Sequence, residues 1–144
     1  MTTIAFGSDH AAFDLKETLK AAGRAEGYTI LDCGPATTET VDYPDLIPPV
    51  IQAVREGATG VLLCGSGIGM SIGANRFKGI RAALCLTPTM ATLARAHNDA
   101  NILILGSRLI SPEEAVACLH AFLSTPFSEE DRHCRRIEKL ERMW

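Results

Sequence analysis

Short apolar runs alternate along the chain with longer segments whose apolar residues recur every three or four positions. Thr3–Gly7, Tyr28–Asp32, Gly60–Cys64, Ile80–Cys85 and Asn101–Leu105 have the length and composition of strands. Gly60–Cys64, with its unbroken Val-Leu-Leu-Cys, reads as a strand covered on both faces. Helical spacing marks Asp9–Ala25 (through Phe13, Leu15, Leu19 and Ala22), Leu46–Arg55, Ile68–Asn75, Pro88–Ala96 and Pro112–Leu123. Pro48 and Pro49 fit a helix only in its first turn. A charged helix from about Glu129 to Trp144 closes the pattern.

Strands alternating with helices predict an α/β fold. We expect a single Rossmann-like, three-layer α/β/α domain over residues 1–144, with a five-stranded parallel sheet, right-handed crossovers and a C-terminal helix. Ligands of such sheets bind beyond the carboxyl ends of the strands. That rule selects Ser8-Asp9-His10, Cys64 to Gly69, Leu86-Thr87 and Gly106-Ser107-Arg108. The longest irregular stretch, Gly34 to Asp45, has a length more often functional than decorative.

Composition narrows the chemistry. With 47% hydrophobic and 22% charged residues the chain is neither disordered nor collagen-like. A net charge of −3 and 6% aromatic residues supply neither the general basic field nor the stacking platform of a nucleic-acid binder. That charge hides an asymmetry, since five of the fourteen Lys and Arg residues fall between Arg132 and Arg142. No apolar run reaches membrane-spanning length, and the first residues lack the pattern of a signal peptide. The five cysteines are scattered, without a C-x-x-C pair, which suits a reducing cytoplasm. We expect neither a metal nor a cofactor, because no His/Cys cluster, H-E-x-x-H or EF-hand spacing is present.

Cys64-Gly65-Ser66-Gly67-Ile68-Gly69 is the strongest chemical signal. It is not a dinucleotide fingerprint, a P-loop or a serine-hydrolase elbow, because Met70, Cys64 and Ile68 break those patterns and no Gly-Lys-Ser/Thr exists. What remains is an anion cradle with a thiol at its entrance, where cysteine could serve as nucleophile or base. The plain alternative is that Cys64 is a small buried hydrophobe, as we expect of Cys33, Cys85, Cys118 and Cys134. His10 and His97 stand in polar loops, where an imidazole can move a proton at pH 7, whereas His120 belongs on a helix surface or core edge. Arg132 and Arg136, four apart on one helix face, suit a phosphate monoester; a solvated, salt-bridged helix is the competing reading.

In this order the pieces resemble the ribose-5-phosphate isomerase B family, which includes galactose and allose 6-phosphate isomerases, over essentially the whole chain. The resemblance rests on Ile4–Phe13 with Leu15-Lys16, Asp42-Tyr43-Pro44, Cys64–Gly69, Ala74–Ala82, His97–Asn101, Gly106-Ser107-Arg108 and Arg132-His133-x-x-Arg136. It implies a metal-independent aldose–ketose isomerase acting on a small sugar phosphate. The assembly it implies is a homodimer, or a tetramer built from dimers, with active sites shared between subunits. Cys64 would be the base that moves a proton between C2 and C1. Met70 stands where cysteine-lacking relatives carry a glutamate, and Ser66 stands where many have threonine, its hydroxyl within reach of the thiol or a substrate oxygen. His97 would open the furanose ring, with Asp9 and Asn98 holding sugar hydroxyls. The Gly65, Gly67, Ile68 and Gly69 region would stabilise the enediolate. His10, Arg108, Arg132 and Arg136 would grip the phosphate, and Tyr43 would line the site.

The expected substrate pair is ribose 5-phosphate and ribulose 5-phosphate. A six-carbon sugar phosphate is the close rival, and pocket length, set by the Gly34–Asp45 loop, Thr87 and Met90, would separate them. A non-catalytic phosphosugar- or nucleotide-binding module would bind without turnover. A thiol redox protein would need a resolving cysteine near Cys64, and none is close in sequence.

Overall fold

Residues 2–144 are described in a computed structural model. The chain runs β1 (Thr3–Ser8), α1 (Phe13–Ala25), β2 (Thr29–Asp32), α2 (Ile47–Arg55), β3 (Thr59–Cys64) and α3 (Ile68–Ala74). It continues through β4 (Ala82–Leu84), α4 (Pro88–Asn98), β5 (Ile102–Gly106), α5 (Pro112–Ser124) and α6 (Asp131–Glu141). The strands form one parallel sheet in the order β2-β1-β3-β5-β4. Successive strand residues face opposite sides. Ile4, Phe6, Val61, Leu63, Leu103 and Leu105 join the core formed with α1, α4 and α5. Ala5, Leu62, Cys64, Ile102 and Ile104 join the other, with α2 and α3. Burial on both sides is why β1, β3 and β5 read as continuous apolar runs.

Most expected boundaries shift by one residue, but those of four elements shift further, among them the helix expected to end at Ala96, which runs on through Asn98 and so takes His97 out of a loop. The helix expected from Asp9 begins with a 3₁₀ turn at His10–Ala12, capped by Asp9, whose Oδ1 accepts the Ala12 N–H at 3.0 Å. The strand expected over Ile80–Cys85 shrinks to Ala82–Leu84. There the carboxamide of Asn75 takes the place of a further strand: its Nδ2 donates to the Ala82 carbonyl at 3.0 Å, and its Oδ1 accepts the Ala82 N–H at 2.9 Å. The last helix covers Asp131–Glu141 rather than 129–144, because Glu129 adopts a left-handed conformation (φ 60°) that a helix cannot include. Among the described residues no helix is long and apolar enough to cross a membrane.

A buried ionic hub ties the irregular stretch after β2 to α1. Lys16, wholly buried, donates from Nζ to Asp32 Oδ1 at 2.8 Å and to the Pro35 carbonyl at 2.6 Å. Lys20 donates to Asp32 Oδ2 at 2.7 Å, and the Gly34 N–H donates to Asp32 Oδ1 at 2.9 Å. Burial pushes the Asp32 carboxyl up, but Lys16, Lys20 and the Gly34 amide together hold it below the ordinary carboxylate value. A carboxylate lowered in this way adds stability above about pH 4 that is lost as pH falls through its folded value. Asp32→Ala leaves the Lys16 ammonium buried without its counter-charge and is expected to cost about 3–5 kcal/mol, read by urea denaturation at pH 7. The variant should also lose part of the acid limb of the stability profile.

Candidate active site

The ends of three strands are fastened together at the carboxyl edge. The Asp9 N–H donates to the Leu63 carbonyl (3.1 Å), the Ser107 N–H to Cys64 (2.9 Å) and the Arg108 N–H to Gly65 (2.9 Å). These bonds hold the ends of β1, β3 and β5 around the glycine loop, where the sheet order reverses between β1 and β3. Gly67 takes φ +78° at the entry to α3, a left-handed conformation that a side chain would strain. The turn aims the Gly67 N–H at Cys64 Sγ, 3.2 Å away. A donor on sulfur stabilises the negative charge left when the thiol gives up its proton. Cys64 itself is buried, 5% exposed.

The Ser66 hydroxyl accepts the Ile68 N–H at 3.2 Å, which leaves its own O–H free to donate. Arg108 lies over Gly65, where a β-carbon would stand 2.9 Å from its Nη1. The Tyr43 phenol packs so closely on Gly69 that a side chain there would collide with the ring. His10 Nδ1 accepts the Val41 N–H at 3.2 Å, which leaves Nε2 as the donor of a neutral ring and docks the Gly34–Asp45 stretch. Asp9, His10, Tyr43, Cys64, Ser66 and Arg108 therefore gather at one edge. Thr87, at the same edge after β4, caps α4 by accepting the Met90 N–H at 3.2 Å.

His97, Asn98, Arg132 and Arg136 lie elsewhere. His97 and Asn98 occupy the last turn of α4, which delivers the chain to the amino end of β5. Cys64 is level with Gly106 at the other end of that strand. Strand length thus separates the two groups by on the order of 15 Å within one chain. The His97 ring meets the His133 ring of α6 at 4.3 Å between centroids, and the Arg81 Nε donates to the Asn98 carbonyl at 3.0 Å. Arg132 and Arg136 are exposed on α6 beside this pair, and Arg132 has Glu130 at 3.7 Å. Asn98 borders a cleft of about 720 Å³ between the β4 edge and the chain end, lined also by Arg81, Leu140 and Trp144.

The other cysteines divide. Burial raises Cys85 to about 12 and Cys118 to about 11, as inert core thiols. Cys33 and Cys134 are half-buried rather than sequestered. His120 is on the surface as expected, its Nδ1 at 2.8 Å from Glu26. Among the described residues no group of three His, Cys, Asp or Glu side chains gathers to hold a metal ion. Sequence reasoning gave no role to Lys16, Asp32 or His133.

Comparison with known proteins decides the lineage of this arrangement. The model of the Ribose/Galactose Isomerase family matches residues 4–140. The chain belongs to the ribose/galactose isomerase family. Within it, the chain is 42% identical over 142 residues to the ribose-5-phosphate isomerase B of Escherichia coli strain K12, covering 97% of this chain and 95% of that one. It is 40% identical over 143 residues to the D-erythrulose-4-phosphate isomerase of Pectobacterium atrosepticum, covering 97% and 93%. The crystal structure of a ribose 5-phosphate isomerase from Thermotoga maritima superposes with a TM-score of 0.93 at 53% identity, covering 97% of each chain.

Proposed function

We propose that this protein is an aldose–ketose isomerase that interconverts ribose 5-phosphate and ribulose 5-phosphate. The observation that carries the reading is Cys64 Sγ, buried in the glycine loop with the Gly67 N–H aimed at it and Arg108 alongside. His97 opens the furanose. Cys64 takes the C2 proton, electron density moves onto the C1 oxygen to give the enediolate, the C2 hydroxyl proton passes to the C1 oxygen, and the proton on sulfur returns to C1 as the C2 carbonyl forms. Ser66 positions the loop by accepting the Ile68 N–H, the Gly67 N–H serves the sulfur, and the Gly65 and Gly69 amides are left to meet the developing oxyanion. Asp9 and Asn98 hold sugar hydroxyls, and Tyr43 walls the pocket. His10, Arg108, Arg132 and Arg136 grip the phosphate, whose fixation supplies binding energy for ring opening.

The separation of the two residue groups supports a shared site: Cys64 of one copy works with His97, Asn98, Arg132 and Arg136 of another. Ile68 and Ile72 on α3, with Leu86, Met90 and Leu93 around the start of α4, expose apolar side chains on both sides of the β4 edge. A second copy is the natural cover for such a surface. Ile72→Glu, which puts a charge there without touching the core, is expected to yield monomers by sedimentation and to lose at least about 10²-fold in activity, since each site would lack its second half. The five free cysteines suit the cytoplasm.

The test is an assay with ribose 5-phosphate in chelator-containing buffer, alongside D-erythrulose 4-phosphate and the 6-phosphates of allose and galactose. Turnover of ribose 5-phosphate with the highest kcat/KM supports the proposal. Preference for another of these substrates replaces the substrate, and turnover of none overturns the isomerase reading.

A further inference from the structure

His133 alone among the four histidines is buried, at 4% exposure. A buried imidazole is costly without partners, and the fold supplies them. Its Nδ1 lies 2.9 Å from Ser128 Oγ and 3.7 Å from Glu130 Oε2. Ser128 is itself fastened to α4, its N–H donating to the Ala96 carbonyl at 3.0 Å, one residue before His97. The face of the His133 ring meets that of His97 at 4.3 Å with a tilt of 31°. His97, by contrast, is half-exposed. Of the two rings, His97 is open to a ligand and His133 supports it from inside.

The charges around the inner ring suit this role. Desolvation lowers the His133 pKa, and His97 from α4 with Arg132 and Arg136 from α6 push the same way, against Glu130. A neutral ring beneath His97 allows His97 to take up a proton without a second imidazolium against its face. Ring opening moves a proton off the anomeric hydroxyl and onto the ring oxygen, so its rate depends on where the carrier ring points.

We propose that His133 is a positioning residue for ring opening, its buried imidazole anchored on Ser128 and stacked against His97 so that the His97 ring faces the furanose of a bound sugar phosphate. The proposal rests on the isomerase reading above and adds a residue that never touches substrate.

Ribulose 5-phosphate provides the discriminating probe. Its C5 hydroxyl carries the phosphate and cannot close on the C2 ketone, so it needs no ring opening. Exchange of its C1 hydrogen with deuterated solvent reports the proton transfer alone, and turnover of ribose 5-phosphate reports both steps. His133→Ala is expected to lower kcat on ribose 5-phosphate by about 10–100-fold while deuterium exchange stays within about threefold of the parent. His133→Phe, which keeps an aromatic face under His97, should recover most of the loss. An equal fall in both readouts for His133→Ala, or a Phe variant no better than Ala, overturns the proposal. His97→Asn in the same pair of assays tests the underlying reading. If it shows no split, the ring-opening role of His97 fails. If it shows the split and His133→Ala does not, the proposal about His133 alone fails.

Discussion

Cys64→Ala is expected to lower kcat on ribose 5-phosphate by about 10²–10⁴-fold, the usual contribution of one positioned acid–base group. KM should move by no more than a few fold, because phosphate and hydroxyl contacts lie on other side chains. The reasoning is local. The C2 hydrogen of an opened aldose is weakly acidic, and Cys64 is the titratable side chain that the glycine loop encloses, with the Gly67 N–H 3.2 Å from its sulfur. Alanine removes a small buried side chain, so the fold should survive, which circular dichroism and thermal melting will verify. A variant that keeps near-normal kcat would remove Cys64 as the base while leaving the activity assigned.

Mixing two dead variants tests the shared site. Cys64→Ala chains retain His97, and His97→Asn chains retain Cys64. If each site pairs Cys64 of one copy with His97 of the other in a two-fold dimer, random reassortment makes half the dimers mixed, with one sound site in each, so about a quarter of parental activity should return. Each variant alone stays inactive. A site built within a single chain would give no recovery at any mixing ratio. The prediction follows from the placement of His97 at the amino end of β5, a strand's length from Cys64.

The sequence exposed the fold well where burial is two-sided. Val61-Leu62-Leu63 and Ile102–Leu105 face helices on both sides of the sheet, so their apolar runs are unbroken and their assignment holds. Ile80–Cys85 is equally apolar but lies at the edge, where Arg81 turns away to give its N–H to Asn101 Oδ1 at 2.8 Å, and the strand is half the expected length. The carboxyl-edge rule found Asp9, His10, the glycine loop and Arg108, since position in a parallel strand fixes the end at which a residue emerges. It also selected Thr87, whose hydroxyl caps α4 at that same edge. It could not reach His97, Arg132 or Arg136, which lie within α4 and α6, away from the carboxyl ends of the strands. Lys16 reads as a surface residue on any amphipathic pattern; only folding brings Asp32 and the Pro35 carbonyl to it.

The Asn75 carboxamide that occupies the outer edge of β4 has a consequence for damaged protein. By consuming both polar groups of Ala82 it denies an incoming strand part of the template at this edge of the sheet. The plug sits just after the short helix α3, and its hold depends on that helix staying formed. Fraying of α3 under heat or crowding would unmask the edge before the core opens. Such molecules would be lost to insoluble aggregates while the remaining soluble fraction keeps full specific activity.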